Sequence, residues 1–342
     1  MTQQRFSFKI AILATTFCLF LNTGCKQSSE QNTAPDSETN MVVTEYETPI
    51  DTTPWKLSLA QWSIHRMIQE EGVDPFDFAK LAAGWGFEGV EYVSQLYNDA
   101  VQEYDSKQEG VDAVIARLKE ESEKAGVTNL LIMIDGEGDM AVNDETARDL
   151  AVANHKVWVD AAAALGCHSI RVNLFGSILG SEWHTNSVDA LTKLGSYAKE
   201  KNINVLVENH GWLSSDAPQL MKVINEVAMD NVGTLPDFGN FCLQRKDGSK
   251  WGECLKEYPD IYQGVNIMMP AAKAVSAKSY DFDALGNETK INYAKMLRIV
   301  KANRYDGFIG VEYEGTRLSE EDGILATKNL ILNGPFKAEE NK

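Results

Sequence analysis

The stretch Asn204-Val205-Leu206-Val207-Glu208-Asn209-His210-Gly211 decides how the chain is read. Its aliphatic residues follow one another without alternation, the pattern of a strand buried on both faces of a parallel sheet. It then ends in a carboxylate, an amide and an imidazole. Parallel α/β folds build their sites from polar groups at the C-terminal ends of such strands. Two later stretches repeat the design. Val232 to Asn240 (Val-Gly-Thr-Leu-Pro-Asp-Phe-Gly-Asn) sets Asp237 after an apolar run, and Gly307 to Gly315 (Gly-Phe-Ile-Gly-Val-Glu-Tyr-Glu-Gly) does the same with Glu312.

Working outward, further apolar runs fall at Leu57 to Gln61, Gly89 to Val93, Asn129 to Ile134, Ser169 to Leu174 and Ala274 to Ala277, which with the three above makes eight. Between them lie segments of helical period, among them Val111 to Ala125, Glu145 to Leu165, Val188 to Lys201, Ala217 to Val227 and Ile291 to Ala302. Asp74-Pro75 and Asn186 or Ser187 read as helix starts, Gly126 and Gly166 as helix stops. Eight strands alternating with helices predict an α/β fold, a single-domain (β/α)8 barrel over residues 55–333, with 334–342 as a tail. The competing doubly wound sheet lacks a Gly-x-Gly-x-x-Gly after the first strand. In a closed barrel Glu208, Asp237 and Glu312 converge on one pocket.

The chain has 342 residues and a formal charge of −18. Phosphate contacts need clustered Lys and Arg, so this balance excludes a nucleic-acid partner. Arg5 and Lys9 precede the apolar run Ile10 to Leu21, and Asn22-Thr23-Gly24-Cys25 closes it. A basic start, a dozen apolar residues and a small-residue end predict an export signal over residues 1–24. The Thr-Gly-Cys ending resembles a bacterial lipoprotein processing site, with Cys25 as the lipidated residue. The expected location is therefore outside the cytoplasm, periplasmic or at the cell surface, with membrane contact only through that lipid. Residues 25–54, rich in Ser, Thr, Glu, Gln and Asn, read as a disordered tether. The remaining Cys167, Cys242 and Cys254 do not spell a disulfide framework; only Cys242 and Cys254 lie close in sequence.

Each strand end offers groups for chemistry. The first supplies Gln61, Trp62, Ser63 and His65; the second, Glu91; the third, Asp135 and Glu137; the fourth, Arg171 and Asn173. The fifth, sixth and eighth supply Glu208, Asn209, His210, Asp237, Asn240, Glu312 and Glu314, and the seventh, Ser276 and Lys278. Acids brought together repel, and a divalent cation or a shared proton relieves them. A cation on Glu208, Asp237 and Glu312 would have oxygen ligands, favouring Mg²⁺ or Mn²⁺, and adding His210 would shift the site towards Mn²⁺, Co²⁺ or Zn²⁺. Glu314 either enters the same pocket or sits in a solvated loop. His155 and His168 read as structural, and His184 falls in the loop after strand four.

Gly89-Val90-Glu91, Val207-Glu208-Asn209-His210-Gly211, Asp237-Phe238-Gly239-Asn240 and Gly310-Val311-Glu312-Tyr313-Glu314-Gly315, in this order and spacing, resemble the xylose-isomerase-like TIM-barrel superfamily of sugar phosphate isomerases and epimerases. The resemblance runs from about Trp55 to Asn333. It implies a divalent metal held by Glu, Asp, His and Glu of strands five to eight, here Glu208, Asp237 and Glu312. Ser276 stands where the family has its His, with Lys278 just beyond. His210 as a replacement ligand, or Lys278 as a metal-free electrophile, would repair that departure.

The resemblance further implies proton transfer beside a carbonyl, with Glu208 and Glu312 as base and acid and His210 and Lys278 beside them. Gln61, Trp62, His65, Glu91, Arg171, Asn173 and Asn240 are the substrate-binding candidates, and Trp62, Trp212 and Tyr313 are candidates for stacking on a sugar ring. An exported enzyme meets no pool of sugar phosphates, and strands seven and eight carry no Gly-rich phosphate cradle. The expected substrate is an unphosphorylated sugar or keto-sugar. A keto-glycoside lyase or hydratase on the same site, and a carbohydrate-binding lipoprotein without catalysis, are the alternatives; a nuclease of the same superfamily conflicts with the acidity.

Overall fold

The apolar runs form eight parallel strands, β1 (Lys56–Ala60), β2 (Gly89–Val93), β3 (Thr128–Met133), β4 (Ser169–Val172), β5 (Asn204–Glu208), β6 (Val232–Leu235), β7 (Val275–Ser279) and β8 (Phe308–Tyr313). This computed structural model describes residues 54–333. The expected export signal (1–24), Cys25, residues 25–53 of the tether and the tail 334–342 lie outside the described residues. Among those described, no helix is long and apolar enough to cross a membrane.

Hydrogen bonding runs in the order β6-β5-β4-β3-β2-β1-β8-β7. Parallel bridges Thr234–Ala272 and Asp237–Ser276 close the ring between β6 and β7, where Ser276 N–H donates to Pro236 O at 3.0 Å and Phe238 N–H to Ser276 O at 3.1 Å. Each strand is followed by a helix: Phe78–Gly84, Lys107–Ala125, Glu145–Leu165, Gly180–Glu200, Ala217–Val227, Ile261–Met268, Tyr293–Ala302 and Glu320–Asn333. The result is the expected (β/α)8 barrel. Val205, Leu206 and Val207 are fully buried, each worth about 1.5–3 kcal/mol relative to exposure.

Local signals account for the helix ends. Asp74 accepts the Phe76 amide ahead of Pro75, and Ser106 and Asp144 cap their helices by accepting from Glu109 and Ala147 amides. Gly126 (φ 71°) and Gly166 (φ 83°) end two helices in the left-handed conformation. The start expected at Asn186 or Ser187 is corrected: that helix begins at Gly180. Asn186 lies buried inside it, and its amide serves Ala141 O and Asn143 Oδ1 rather than a cap.

Alternate residues of a strand face the barrel axis, and here that axis is polar towards the C-terminal end. Ser58, Glu91, Arg171, Glu208, Ser276, Lys278 and Glu312 are all buried. Gly310 of β8 leaves the room that Glu91 occupies, since a Cβ there would lie 2.6 and 2.8 Å from the Glu91 carboxylate oxygens.

Between β6 and the helix Ile261–Met268 the chain inserts an antiparallel hairpin, Cys242–Arg245 with Cys254–Glu257. Cys242 and Cys254 are bonded across it, with Cα atoms 5.8 Å apart. This corrects the reading that the cysteines build no framework. Hairpin pairing brings the two together, which sequence spacing alone does not disclose. Cys167 remains a free, buried thiol.

Candidate active site

Three strand ends bring Glu208, Asp237 and Glu312 together as expected, each offering an oxygen within 4.8 Å of the others. All three are buried. Asp237 follows β6 by two residues and is fixed twice over: its Oδ1 accepts the Gly239 and Asn240 amides at 2.8 and 2.7 Å, and its own N–H donates to Asn209 Oδ1 at 2.7 Å. Ser276 Oγ bridges two of the acids, 2.6 Å from Asp237 Oδ2 and 2.8 Å from Glu312 Oε2. A hydroxyl has one proton to give, so it serves both acids fully only when one of them is itself protonated.

Lys278, 1 % exposed, lies beside the same pair. Its Nζ is 2.9 Å from Glu314 Oε1, 3.5 Å from Glu312 Oε1 and 3.8 Å from Asp237 Oδ2. Arg171 serves the other acid, with Nε 2.9 Å from Glu208 Oε2 and Nη1 2.9 Å from Asp135 Oδ1. Asn240 donates to Glu208 Oε1 at 2.8 Å. Five carboxyls, those of Asp135, Glu208, Asp237, Glu312 and Glu314, thus face two permanent cations.

Burial, with the excess of negative charge, shifts the acidities of these groups. Burial pushes Glu312 up to about 8 despite Lys278, so at neutral pH it holds a proton. Burial also raises Asp237 to about 6 and raises Glu208, against the pull of Arg171 and Lys278. Burial by itself would lower Lys278, but Asp237, Glu312 and Glu314 outweigh it and hold the ammonium well above its ordinary range. His210 is driven down to about 3 by burial and by Arg171, and so stays neutral. Burial works against Glu314, yet Lys278 keeps it below the usual carboxylate range.

A cavity of about 790 Å³ opens above these groups. Among the candidates, Trp62, Arg171, Asn173, His210, Asn240 and Glu312 line it. Glu208, Asp237, Ser276 and Lys278 lie in the floor beneath, and His210 Nε2 stands 3.9 Å from Glu208 Oε1. Gln61 is elsewhere: buried, it donates to Tyr97 Oη at 2.7 Å and accepts the Val93 amide at 3.0 Å. His65 stacks on Trp62 with centroids 4.5 Å apart and bonds Trp62 O. Glu91 sits in the axis below the floor, accepting from Ser58 Oγ at 2.6 Å, and burial raises it to about 7.

Tyr313, a stacking candidate, is fully buried against Phe282, with its hydroxyl accepting the Leu318 amide. Trp212 borders a separate groove beside the hairpin. His184, expected in a loop, lies within the helix Gly180–Glu200 and pairs with Glu226 at 2.6 Å. His155 and His168 are bonded to Ala151 O and Ser169 Oγ, as structural residues would be, although His155 also borders the cavity. Glu314 enters the pocket. Asp135, offered by the third strand end, proves to be the partner of Arg171 and Asn173 (Nδ2 to Oδ1, 2.7 Å). No sequence signal pointed to Phe175, Arg245, Lys250 and Trp251, which form one wall.

The donor set fits a divalent metal ion: three clustered carboxylates supply hard oxygen ligands. The imidazole of the expected family pattern is replaced by the Ser276 hydroxyl, itself spent on two of those carboxylates.

A family model described as a xylose isomerase-like TIM barrel matches residues 79–332. Solved structures share the fold. An L-ribulose 3-epimerase is 14% identical with a TM-score of 0.63, covering 84% of this chain and 96% of its own. The 3-keto-D-glucoside 4-epimerase YcjR from E. coli is 12% identical with a TM-score of 0.60, covering 81% and 98%. The IolI protein with a bound zinc atom is 16% identical with a TM-score of 0.59, covering 82% and 99%. No curated protein matches the chain by sequence.

Proposed function

The chain belongs to the xylose isomerase-like TIM-barrel family, and we propose that it is a sugar isomerase or epimerase that moves a proton beside a carbonyl of an unphosphorylated sugar or keto-sugar. One observation carries this reading. Two buried carboxyls meet at the base of one cavity, Glu208 beside the Arg171 guanidinium and Glu312 beside the Lys278 ammonium, and burial raises Glu312 to about 8. Environments that separate paired carboxyls in this way assign acid and base.

Glu208, held by Arg171 and Asn240, takes the proton from the carbon next to the carbonyl. The C–H electron pair moves into the new C=C bond, and the carbonyl oxygen becomes an enediolate oxygen. Lys278 neutralises that charge from a site where little water screens it. Glu312 returns a proton from the other side to the same carbon, inverting it as the enediolate oxygen becomes the carbonyl again; a proton delivered instead to the former carbonyl carbon gives the isomer once the neighbouring hydroxyl proton has passed to the enediolate oxygen. Glu208 then loses its proton to solvent and Glu312 regains one. A divalent ion on Glu208, Asp237 and Glu312, when bound, would supply Lewis-acid polarisation of substrate oxygens.

The Cys242–Cys254 bond supports the proposed export, because disulfides persist in oxidising compartments. With the leader and Cys25, it favours a lipoprotein outside the cytoplasm, and hence an unphosphorylated substrate. The same proton abstraction next to a ketone would start β-elimination of a keto-glycoside, a second reading that the cavity volume of about 790 Å³ favours.

Incubation with keto-sugars in D₂O, read by mass spectrometry, tests the proposal. Deuterium is expected at the carbon beside the carbonyl, and Glu312→Gln or Glu208→Gln should slow its entry by about 10²–10⁴-fold. Exchange that survives both substitutions, or none with any sugar, overturns it.

A further inference from the structure

The cavity wall opposite the acid floor is built by the inserted hairpin, which the proton-transfer chemistry does not use. The end of its first strand delivers Arg245 to the cavity, and its turn delivers Lys250 and Trp251. The hairpin is fixed at three places. The Cys242–Cys254 bond ties its strands, Lys250 pairs with Asp139 in the segment after β3, and the Trp251 ring stands edge-to-face on Phe175 (5.5 Å) and His210 (5.2 Å). Although so held, Trp251 is 54% exposed, so a broad apolar face is left bare at the cavity wall.

Besides Arg171 Nε, which is ion-paired with Glu208, three buried polar atoms of cavity-lining residues have no hydrogen-bond partner: Arg245 Nε, Asn173 Oδ1 and His210 Nδ1. They supply a donor, an acceptor and an imidazole nitrogen, the set that hydroxyl groups satisfy. Lys250 is matched by Asp139, Arg245 Nη1 meets only the Gly252 carbonyl at 2.7 Å, and the five carboxyls facing two cations in the floor make the cavity a poor host for an anionic sugar. About 790 Å³ is also far more than one hexose ring fills.

We propose that the disulfide-tied hairpin forms an outer subsite for a second ring, so that the substrate class is a neutral glycoside rather than a free monosaccharide. This rests on the proton-transfer reading of the floor. The reacting sugar sits over Glu208 and Glu312, while the second ring lies against Trp251, its hydroxyls meeting the unpartnered atoms. An apolar C–H face on an aromatic plane, flanked by a few placed polar groups, is how such pockets set specificity.

Calorimetric titration with D-fructose and with the ketose disaccharides lactulose and isomaltulose tests this. At least one disaccharide should bind about tenfold more tightly than fructose, the order expected of one aromatic contact. Trp251→Ala should bring that ratio towards one. Joint Cys242→Ser and Cys254→Ser substitution, which frees the hairpin without touching the floor, should also reduce it. Equal affinity for one ring and two, a preference that survives Trp251→Ala, or no binding of any probe overturns the subsite. Deuterium entry separates the two claims. Exchange without a disaccharide preference removes the subsite alone, and a Trp251-dependent preference without exchange removes the proton-transfer reading alone.

Discussion

Lys278→Met takes the ammonium out of the acid floor while keeping the length and apolar stem of the side chain. In the folded protein this Nζ lies 2.9, 3.5 and 3.8 Å from oxygens of Glu314, Glu312 and Asp237, with 1 % of the residue exposed. Removing one partner from a buried ionic network costs about 3–5 kcal/mol, because the charges left behind have neither water nor a counter-ion. At 2–4 °C per kcal/mol, that corresponds to a fall in Tm of roughly 10 °C. The deficit depends on pH with a fixed sign. Without the ammonium the neighbouring acids titrate still higher, so the folded variant must take up protons and is worst placed where they are scarce. Thermal unfolding by circular dichroism should therefore show a large deficit at about pH 8 that shrinks at about pH 5.5. Added Mn²⁺ should restore part of the lost Tm, since the three carboxylates within 4.8 Å would accept a cation in place of the ammonium. A variant as stable as the parent at high pH, or one whose deficit is flat with pH, refutes the assignment of Lys278 as the counter-ion of the floor.

Two further predictions follow from the same geometry. Between about pH 7 and about pH 8 the unmodified protein should lose stability as pH rises, at up to about 1.4 kcal/mol per unit for each native-state proton. Glu312 and Glu91, raised to about 8 and about 7, hold protons there that the unfolded chain has given up. His210, lowered to about 3 in the folded protein, works the other way below about pH 7, where an unfolded imidazole still binds protons; urea midpoints that rise or stay level between about pH 7 and about pH 8 contradict this. Gly310→Ala puts a methyl 2.6 and 2.8 Å from the Glu91 oxygens and should cost about 1–3 kcal/mol by overpacking, read from urea unfolding, whereas an unchanged midpoint would show that Glu91 moves aside freely.

The sequence by itself determined the barrel and the acid floor. Runs such as Val205-Leu206-Val207 can be buried on both faces only between parallel strands covered by helices, and a polar residue that ends such a run is delivered to the C-terminal rim. Glu208, Asp237 and Glu312 were legible for that reason, and the departure at Ser276 through the resemblance to the family. The role of each neighbour was decided only by tertiary structure. Gln61 and Glu312 both stand at strand ends, yet Gln61 is spent on Tyr97 and Val93, while Glu312 meets Ser276 and Lys278. That difference comes from how β1, β2, β7 and β8 align, which no local pattern encodes. The hairpin wall was equally hidden. A stretch from Cys242 to Glu257 with little periodicity reads as a loop, and only its pairing brings two cysteines into bonding distance and places Trp251 over the cavity.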